Sequence, residues 1–300
     1  MTLYRSVADF RPDQVDQILD RAAQIKSGEA PIASTHQTIV GLAFLQASLR
    51  TRTGFAAAAI RLGATPIEVL GLRASDASMP ESVESTIRIL AGYTDIVVAR
   101  VDQPLVVPDS VKVPVLSGGD GGPAAEHPSQ ALIDLFALSQ LPVPISQQTI
   151  AMCGDLRMRA ARSLLRLLTE RRPHRLVFIT DPTLREGLEW PSELNKLIEY
   201  RPLDDIADVD ALYVVGIPHG AIHEEGRARL RVRTDHLESM PAHAGVFSPL
   251  PLIDEMEREA FNHPRVRIFD QSDDGLFVRA AILEFLLDVP ERHFAEDHRL

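Results

Sequence analysis

Thr149-Ile150-Ala151-Met152-Cys153-Gly154-Asp155-Leu156 is the stretch that decides the fold class. Its first five residues read as a short apolar strand, Gly154-Asp155 as a sharp turn, and 159–169 as a helix. Strand, turn and helix in that order is the unit from which helix-covered parallel sheets are built. Downstream, 176–179, 211–215 and 266–269 read as further strands, and 275–287 as a closing apolar helix. Upstream the alternation recurs, with helices over 12–25, 51–62, 83–91 and 130–138. Short apolar runs or strands separate them at 38–45, 67–70, 95–101 and 113–116. Pro142 and Pro144 break the pattern just before the second strand–helix series, which puts a lobe boundary near 139–146. The expected class is α/β, with parallel sheets in two lobes.

The bulk numbers exclude several functions. The 300 residues are 45% hydrophobic, enough for a sizeable core of about two ordinary domains. Against 31 basic side chains stand 42 acidic ones, a net charge of −11. Such a surface argues against nucleic acid or an anionic membrane as a partner. Any phosphate-binding site must then concentrate a few arginines locally. A single cysteine, Cys153, rules out an intrachain disulfide and a cysteine-based zinc site. No metal or cofactor is expected. No apolar run is long enough to span a membrane, and Met1-Thr2-Leu3-Tyr4-Arg5 lacks the apolar stretch of a signal peptide. A cytoplasmic protein is the expectation.

Four constellations could carry chemistry. Ser48-Leu49-Arg50-Thr51-Arg52 places two hydroxyls and two guanidiniums at a helix start, where free N–H groups and the dipole favour an anion. Its alternative is a capped surface helix with solvated arginines. His127-Pro128-Ser129-Gln130 follows the glycine-rich Gly118-Gly119-Asp120-Gly121-Gly122, whose glycines permit close backbone approach to a ligand. A neutral histidine N–H and a glutamine amide suit a carbonyl oxygen and an amide NH2; the alternative is a structural histidine at a helix cap. Arg159 and Arg162 lie just beyond the Gly154-Asp155-Leu156 turn, facing either an anionic substrate group or solvent. Ser248-Pro249-Leu250-Pro251 is stiff enough to aim backbone carbonyls at a ligand, or is a plain connector. His219 and His223 are spaced i, i+4 but lack the glutamate of a metalloprotease pattern.

Taken in order, these pieces resemble the aspartate/ornithine carbamoyltransferase family, most closely its aspartate branch. Ser48 to Arg52 with Phe55 resembles the family's Ser-Thr-Arg-Thr-Arg signature. His127-Pro128-Ser129-Gln130-Ala131-Leu132-Ile133-Asp134-Leu135 matches its His-Pro-x-Gln-x-Leu-x-Asp-Leu throughout. Arg159-Ala160-Ala161-Arg162-Ser163 and Pro249-Leu250-Pro251 have counterparts too. The resemblance implies two doubly wound parallel-sheet lobes: 1–140 for carbamoyl phosphate and 141–274 for the amino acid acceptor. The helix at 275–290 would pack back on the first. It implies a homotrimer with shared sites. By the same resemblance Ser48, Arg50, Thr51 and Arg100 bind the phosphate, and His127 polarises the carbamoyl oxygen. Gln130 and the carbonyls of Leu250 and Pro251 hold the carbamoyl NH2, and Arg159 meets the acceptor's α-carboxylate. Arg50, Thr51, His127 and Gln130 form the implied catalytic set.

The chain also departs from that pattern. Leu49 replaces the signature's threonine, Ala56 a glutamate, and Met79 the lysine of a mobile loop. Losing that cation implies a cost on the order of 2–4 kcal/mol in transition-state stabilisation. Gly216-Ile217-Pro218 stands where aspartate-binding members carry Arg-x-Gln, and Leu252 replaces an arginine. Arg227, Arg229, Arg231 and Arg233 are the basic residues available to compensate. The implied activity is carbamoyl transfer from carbamoyl phosphate to an amine acceptor through a non-standard acceptor site. Two alternatives stay open: a non-catalytic structural or regulatory homologue, and a repurposed site acting on a related small molecule.

Overall fold

The computed structural model describes residues 3–35, 37–71, 81–190 and 192–288. Its first sheet is built around β2 (Ile39–Phe44) and β4 (Ile96–Arg100), whose residues are buried almost throughout. Strands covered by helices on both faces read as continuous apolar runs, not as alternation. With β1 (Leu3–Tyr4), β3 (Thr65–Leu70) and β5 (Val115–Ser117) they form the order β1-β5-β4-β2-β3, parallel at every pairing. The helices of this part are α1 (Pro12–Ser27), α2 (Leu49–Arg61) and α3 (Val83–Leu90). Pro12 at the first helical position starts α1, and Gly28 in the left-handed conformation stops it.

The second sheet repeats the plan. Strands β6 (Thr149–Gly154), β7 (Arg175–Ile179), β8 (Ile198–Tyr200), β9 (Ala211–Val215) and β10 (Gly245–Phe247) stand in the order β10-β9-β6-β7-β8, again all parallel. Its helices are α4 (Pro128–Ser139), α5 (Arg159–Arg171), α6 (Ser192–Asn195), α7 (Glu224–Arg229), α8 (Thr234–Ser239) and the start of α9 (Ile268–Leu286). In each sheet the chain steps outward on one side, from β2 to β3 and from β6 through β7 to β8, and then returns to the other side of β2 or β6. The return creates a switch point, between β2 and β4 in the first and between β6 and β9 in the second. Ligands of doubly wound folds bind beyond the strand ends at such points. Two doubly wound parallel sheets are thus what the chain forms.

By contact the chain divides into two compact units. Asp9–Ala125 and the residues from Leu276 on belong to the first; Ser6–Ala8 and Glu126–Gly275 make up the second. The second unit includes α4, which packs on α5 and β10. From Leu276 on, α9 belongs to the first unit. There the buried Glu284 carboxylate takes Arg21 Nε at 2.5 Å and the Ala33 N–H at 2.6 Å. The last two residues of the expected 275–290 helix lie outside the described residues.

One expected strand is corrected. Residues 266–269 form no strand: Val266 makes a lone parallel bridge to Val246, and Ile268 already opens the 19-residue α9. Three apolar residues within four, Val266, Ile268 and Phe269, do not distinguish a buried strand from the first turn of a buried helix. Among the described residues, no helix is long and apolar enough to cross a membrane.

Candidate active site

In the first unit, the residues expected to bind an anion lie at the strand ends beside the switch point. Phe44 is in register with Arg100, and the N–H groups of Leu45 and Gln46 both donate to the Arg100 carbonyl, at 2.9 and 3.2 Å. That pairing delivers the chain from the end of β2 to Ser48, at the head of α2, beside the residue that ends β4. Ser48 is extended and its side chain makes no capping bond. Thr51 is buried. Arg50 is half-buried, and loss of hydration pulls its pKa below the usual guanidinium value. Arg100 donates from one terminal nitrogen to the carbonyl of Gly118 at 2.9 Å, which holds its guanidinium at the end of β5. Leu49 is exposed to 73%, so the departure from the signature leaves an apolar side chain in solvent. Arg52 turns to Glu68 at 3.9 Å.

The glycine run plays a different part from the one expected. Asp120 is buried and paired to Arg5 at 2.6 Å. A side chain at Gly121 would collide with the Asp102 carbonyl, its Cβ only 2.0 Å away. The close approach there is to the protein's own backbone.

In the second unit, His127 stands immediately before α4, buried, with its backbone N–H donated to Ser163 Oγ at 3.0 Å. Its ring Nδ1 lies 3.4 Å from Ser129 Oγ. Ser163 sits on α5 and in turn reaches Glu126, which also pairs with Arg166 at 3.0 Å and accepts the Val7 N–H. Gln130, one turn into α4, donates Nε2 to Asp134 Oδ1 at 2.7 Å. Arg159 opens α5 after the Gly154-Asp155 turn, half-buried like Arg162. Asp155 itself is taken by Arg157, through Nε, one terminal guanidinium nitrogen and the backbone N–H. Beyond β10, the Ser248 N–H donates to Gln271 Oε1 and Ser248 Oγ accepts from Leu250, which fixes the Pro249-Leu250-Pro251 loop.

Residues 4–140 match the family model described as aspartate/ornithine carbamoyltransferase, carbamoyl-P binding domain. Over 298 residues the chain is 31% identical to the aspartate carbamoyltransferase catalytic subunit of Methanospirillum hungatei, covering 93% of this chain and 97% of that one. It is 33% identical over 304 residues to the corresponding subunit of Hyperthermus butylicus, covering 94% of each. The chain belongs to the aspartate/ornithine carbamoyltransferase family. The solved catalytic subunit of M. jannaschii aspartate transcarbamoylase superposes with a TM-score of 0.83 at 27% identity, over 98% of this chain and all of that one.

The acceptor side of this carbamoyltransferase shows what became of the four candidate arginines. Arg227 is buried: it donates to the carbonyls of Ile217 and Pro218 and is paired to Asp254 and Glu255. Glu255 accepts from the backbone N–H groups of Ile217, Ile253 and Asp254. Arg231 joins the same Asp254 and Glu224, and Arg233 pairs with Asp204 and Asp235. Hydrogen bonding to Arg227 keeps the Asp254 carboxyl below its ordinary range. Three of the four are thus ion-paired within the protein. Arg229 lines a separate cavity of about 490 Å³ with Arg201, Asp204 and His236. None of the residues assigned to carbamoyl phosphate lines that cavity. Gly216 follows β9, and a Cβ on it would stand 2.7 Å from the carbonyl oxygen of Pro251. Met79, at the loop-lysine position, lies outside the described residues.

Sequence reasoning missed the supports. The motifs carry no sign that Ser163, Glu126, Gln271, Tyr213 and Glu255 hold the site residues in place. A buried charged residue inside an otherwise apolar helix was the available signal: Asp134 is the one acidic residue of α4. Among the described residues no group of three potential ligands for a metal ion comes together. His219 and His223 are exposed, while His236 and His243 bond to Asp204 and Asp210. Cys153 is buried against the Leu230 carbonyl, and burial pushes its thiol up to about 12, so it is no nucleophile.

Proposed function

We propose that this carbamoyltransferase moves the carbamoyl group of carbamoyl phosphate to an amine through an acceptor site unlike one that grips aspartate with Arg-x-Gln. The observation that carries the reading is the tight approach of Gly216 to Pro251, which leaves no room for a side chain at the first anchor position. Pro218 supplies no side-chain donor at the second.

Ser48, Arg50, Thr51 and Arg100 hold the phosphate. His127 polarises the carbamoyl oxygen; Gln130 and the carbonyls of Leu250 and Pro251 take the NH2; Arg159 binds a carboxylate on the acceptor. The amine nitrogen bonds to the carbonyl carbon, the carbon–oxygen bond to phosphate breaks, and the proton lost by the amine ends on the released phosphate. No covalent enzyme group is needed, so the protein works by positioning and by stabilising the developing oxyanion. The active form is a homotrimer with shared sites.

The relatives' names make aspartate the first acceptor to try. Phosphate release from carbamoyl phosphate, measured over a panel of amines with aspartate and ornithine included, tests the reading. Release that depends on another amine supports it. Turnover with aspartate matching the best amine overturns the altered acceptor, and no calorimetric binding of millimolar carbamoyl phosphate overturns the transfer itself. A monomeric mass in solution overturns the trimer.

A further inference from the structure

The buried polar centre of the second unit fixes which atom Gln130 can offer to a ligand. The backbone N–H of Ser248 can only donate. It points at Gln271 Oε1, 2.8 Å away, so the Gln271 nitrogen faces the other way. That nitrogen donates to Asp134 Oδ1 at 2.6 Å. The Tyr213 hydroxyl donates to Asp134 Oδ2 at 2.5 Å, and burial beside this carboxylate raises the tyrosine pKa well above 10, so the phenol keeps its proton. An ionised carboxylate accepts and never donates. Gln130, whose amide lies 2.7 Å from the same Oδ1, must therefore also present its nitrogen to Asp134. Its oxygen turns outward, and no donor among the described residues reaches it.

We infer that Asp134 is a specificity-determining positioning residue: by holding the Gln130 nitrogen it leaves Oε1 as the ligand-facing atom, which selects an acyl phosphate bearing NH2 over one bearing CH3. The inference rests on the carbamoyl phosphate reading above. Without the anchor, the Gln130 amide is free to flip and the preference for a donor disappears. One hydrogen bond of this kind corresponds to about a tenfold preference.

The test compares calorimetric affinities for carbamoyl phosphate and acetyl phosphate. In Asp134→Leu the ratio is expected to fall about tenfold, toward parity. In Asp134→Asn it stays within about twofold of the natural protein, because the asparagine oxygen still accepts from both glutamines. A merely structural Asp134 would lower stability in both variants without moving the ratio. A folded Asp134→Leu protein with an unchanged ratio overturns the inference. If that variant does not fold, hydrogen exchange at the Gln130 side-chain NH2, assigned by its loss in Gln130→Met, decides. Exchange much slower than at exposed glutamines supports the anchored amide, and exchange as fast as theirs overturns it. Failure of the natural protein to bind either phosphate defeats the carbamoyl reading instead, and the exchange measurement still judges the orientation.

Discussion

The Pro251 carbonyl oxygen stands 2.7 Å from where a Cβ on Gly216 would lie. Real Cβ–oxygen contacts are longer, so even alanine there forces the Pro249-Leu250-Pro251 loop to shift. Overpacking of this sort costs about 1–3 kcal/mol. Gly216→Ala is expected to lower the midpoint of a urea melt accordingly. Gly216→Arg, the substitution that would restore the signature anchor, is expected to destabilise further and to gain no aspartate binding by calorimetry.

Arg227 ties Ile217, Pro218, Asp254 and Glu255 together from a nearly buried position. Removing one partner of such a pair strands the other charge, at a cost of about 3 kcal/mol. Arg227→Met should show that loss in chemical denaturation, while Arg229→Met, on an exposed residue, changes stability little.

Arg50 is the phosphate contact proposed for the head of α2. Arg50→Ala should weaken carbamoyl phosphate binding roughly 10- to 100-fold, the worth of a charge-assisted hydrogen bond or two. Leu49→Thr, which returns the signature hydroxyl at an exposed position, should leave thermal stability within about 0.5 kcal/mol. Calorimetry and melting curves read the two effects separately.

Two fully buried acids make the fold sensitive to base. The Tyr213 phenol is raised well above 10 and the Cys153 thiol from 9.0 to about 12. In the unfolded chain both titrate near their ordinary values, so the folded state holds protons that the unfolded state releases. Their contribution is fully present below about pH 9 and is lost as pH rises toward the folded values. Denaturation midpoints should fall between pH 9 and 11, less steeply in Tyr213→Phe, and Cys153 should react with thiol reagents at neutral pH only after unfolding.

The strands at the centre of each sheet were legible because covered strands are apolar on both faces. Residues 96–100 and 211–215 are plain in sequence for that reason. β8 and β10, three residues each, are too short to carry a pattern and were missed. Ile268 reads as part of a strand because Val266 and Phe269 are apolar too, although a helix begins at that residue. In the site, side-chain types at Ser48, Arg50, His127 and Gln130 were readable from their motifs. What they lean on was not, since Gln271 lies 137 residues from Asp134 and pairing at that distance leaves no local trace.

The carboxylate of Glu284 also bears on the order in which the chain can mature. It closes the first unit on Arg21 and the Ala33 N–H, yet it is among the last described residues to be made. The second unit, Glu126–Gly275 with Ser6–Ala8, is already synthesised by then. On a ribosome adding about 5–20 residues per second, the second unit can therefore settle before the first is closed. Until α9 emerges, Arg21 and the Ala33 N–H lack the Glu284 carboxylate. A stop codon placed before Glu284 would leave the first unit without its closing partner for good.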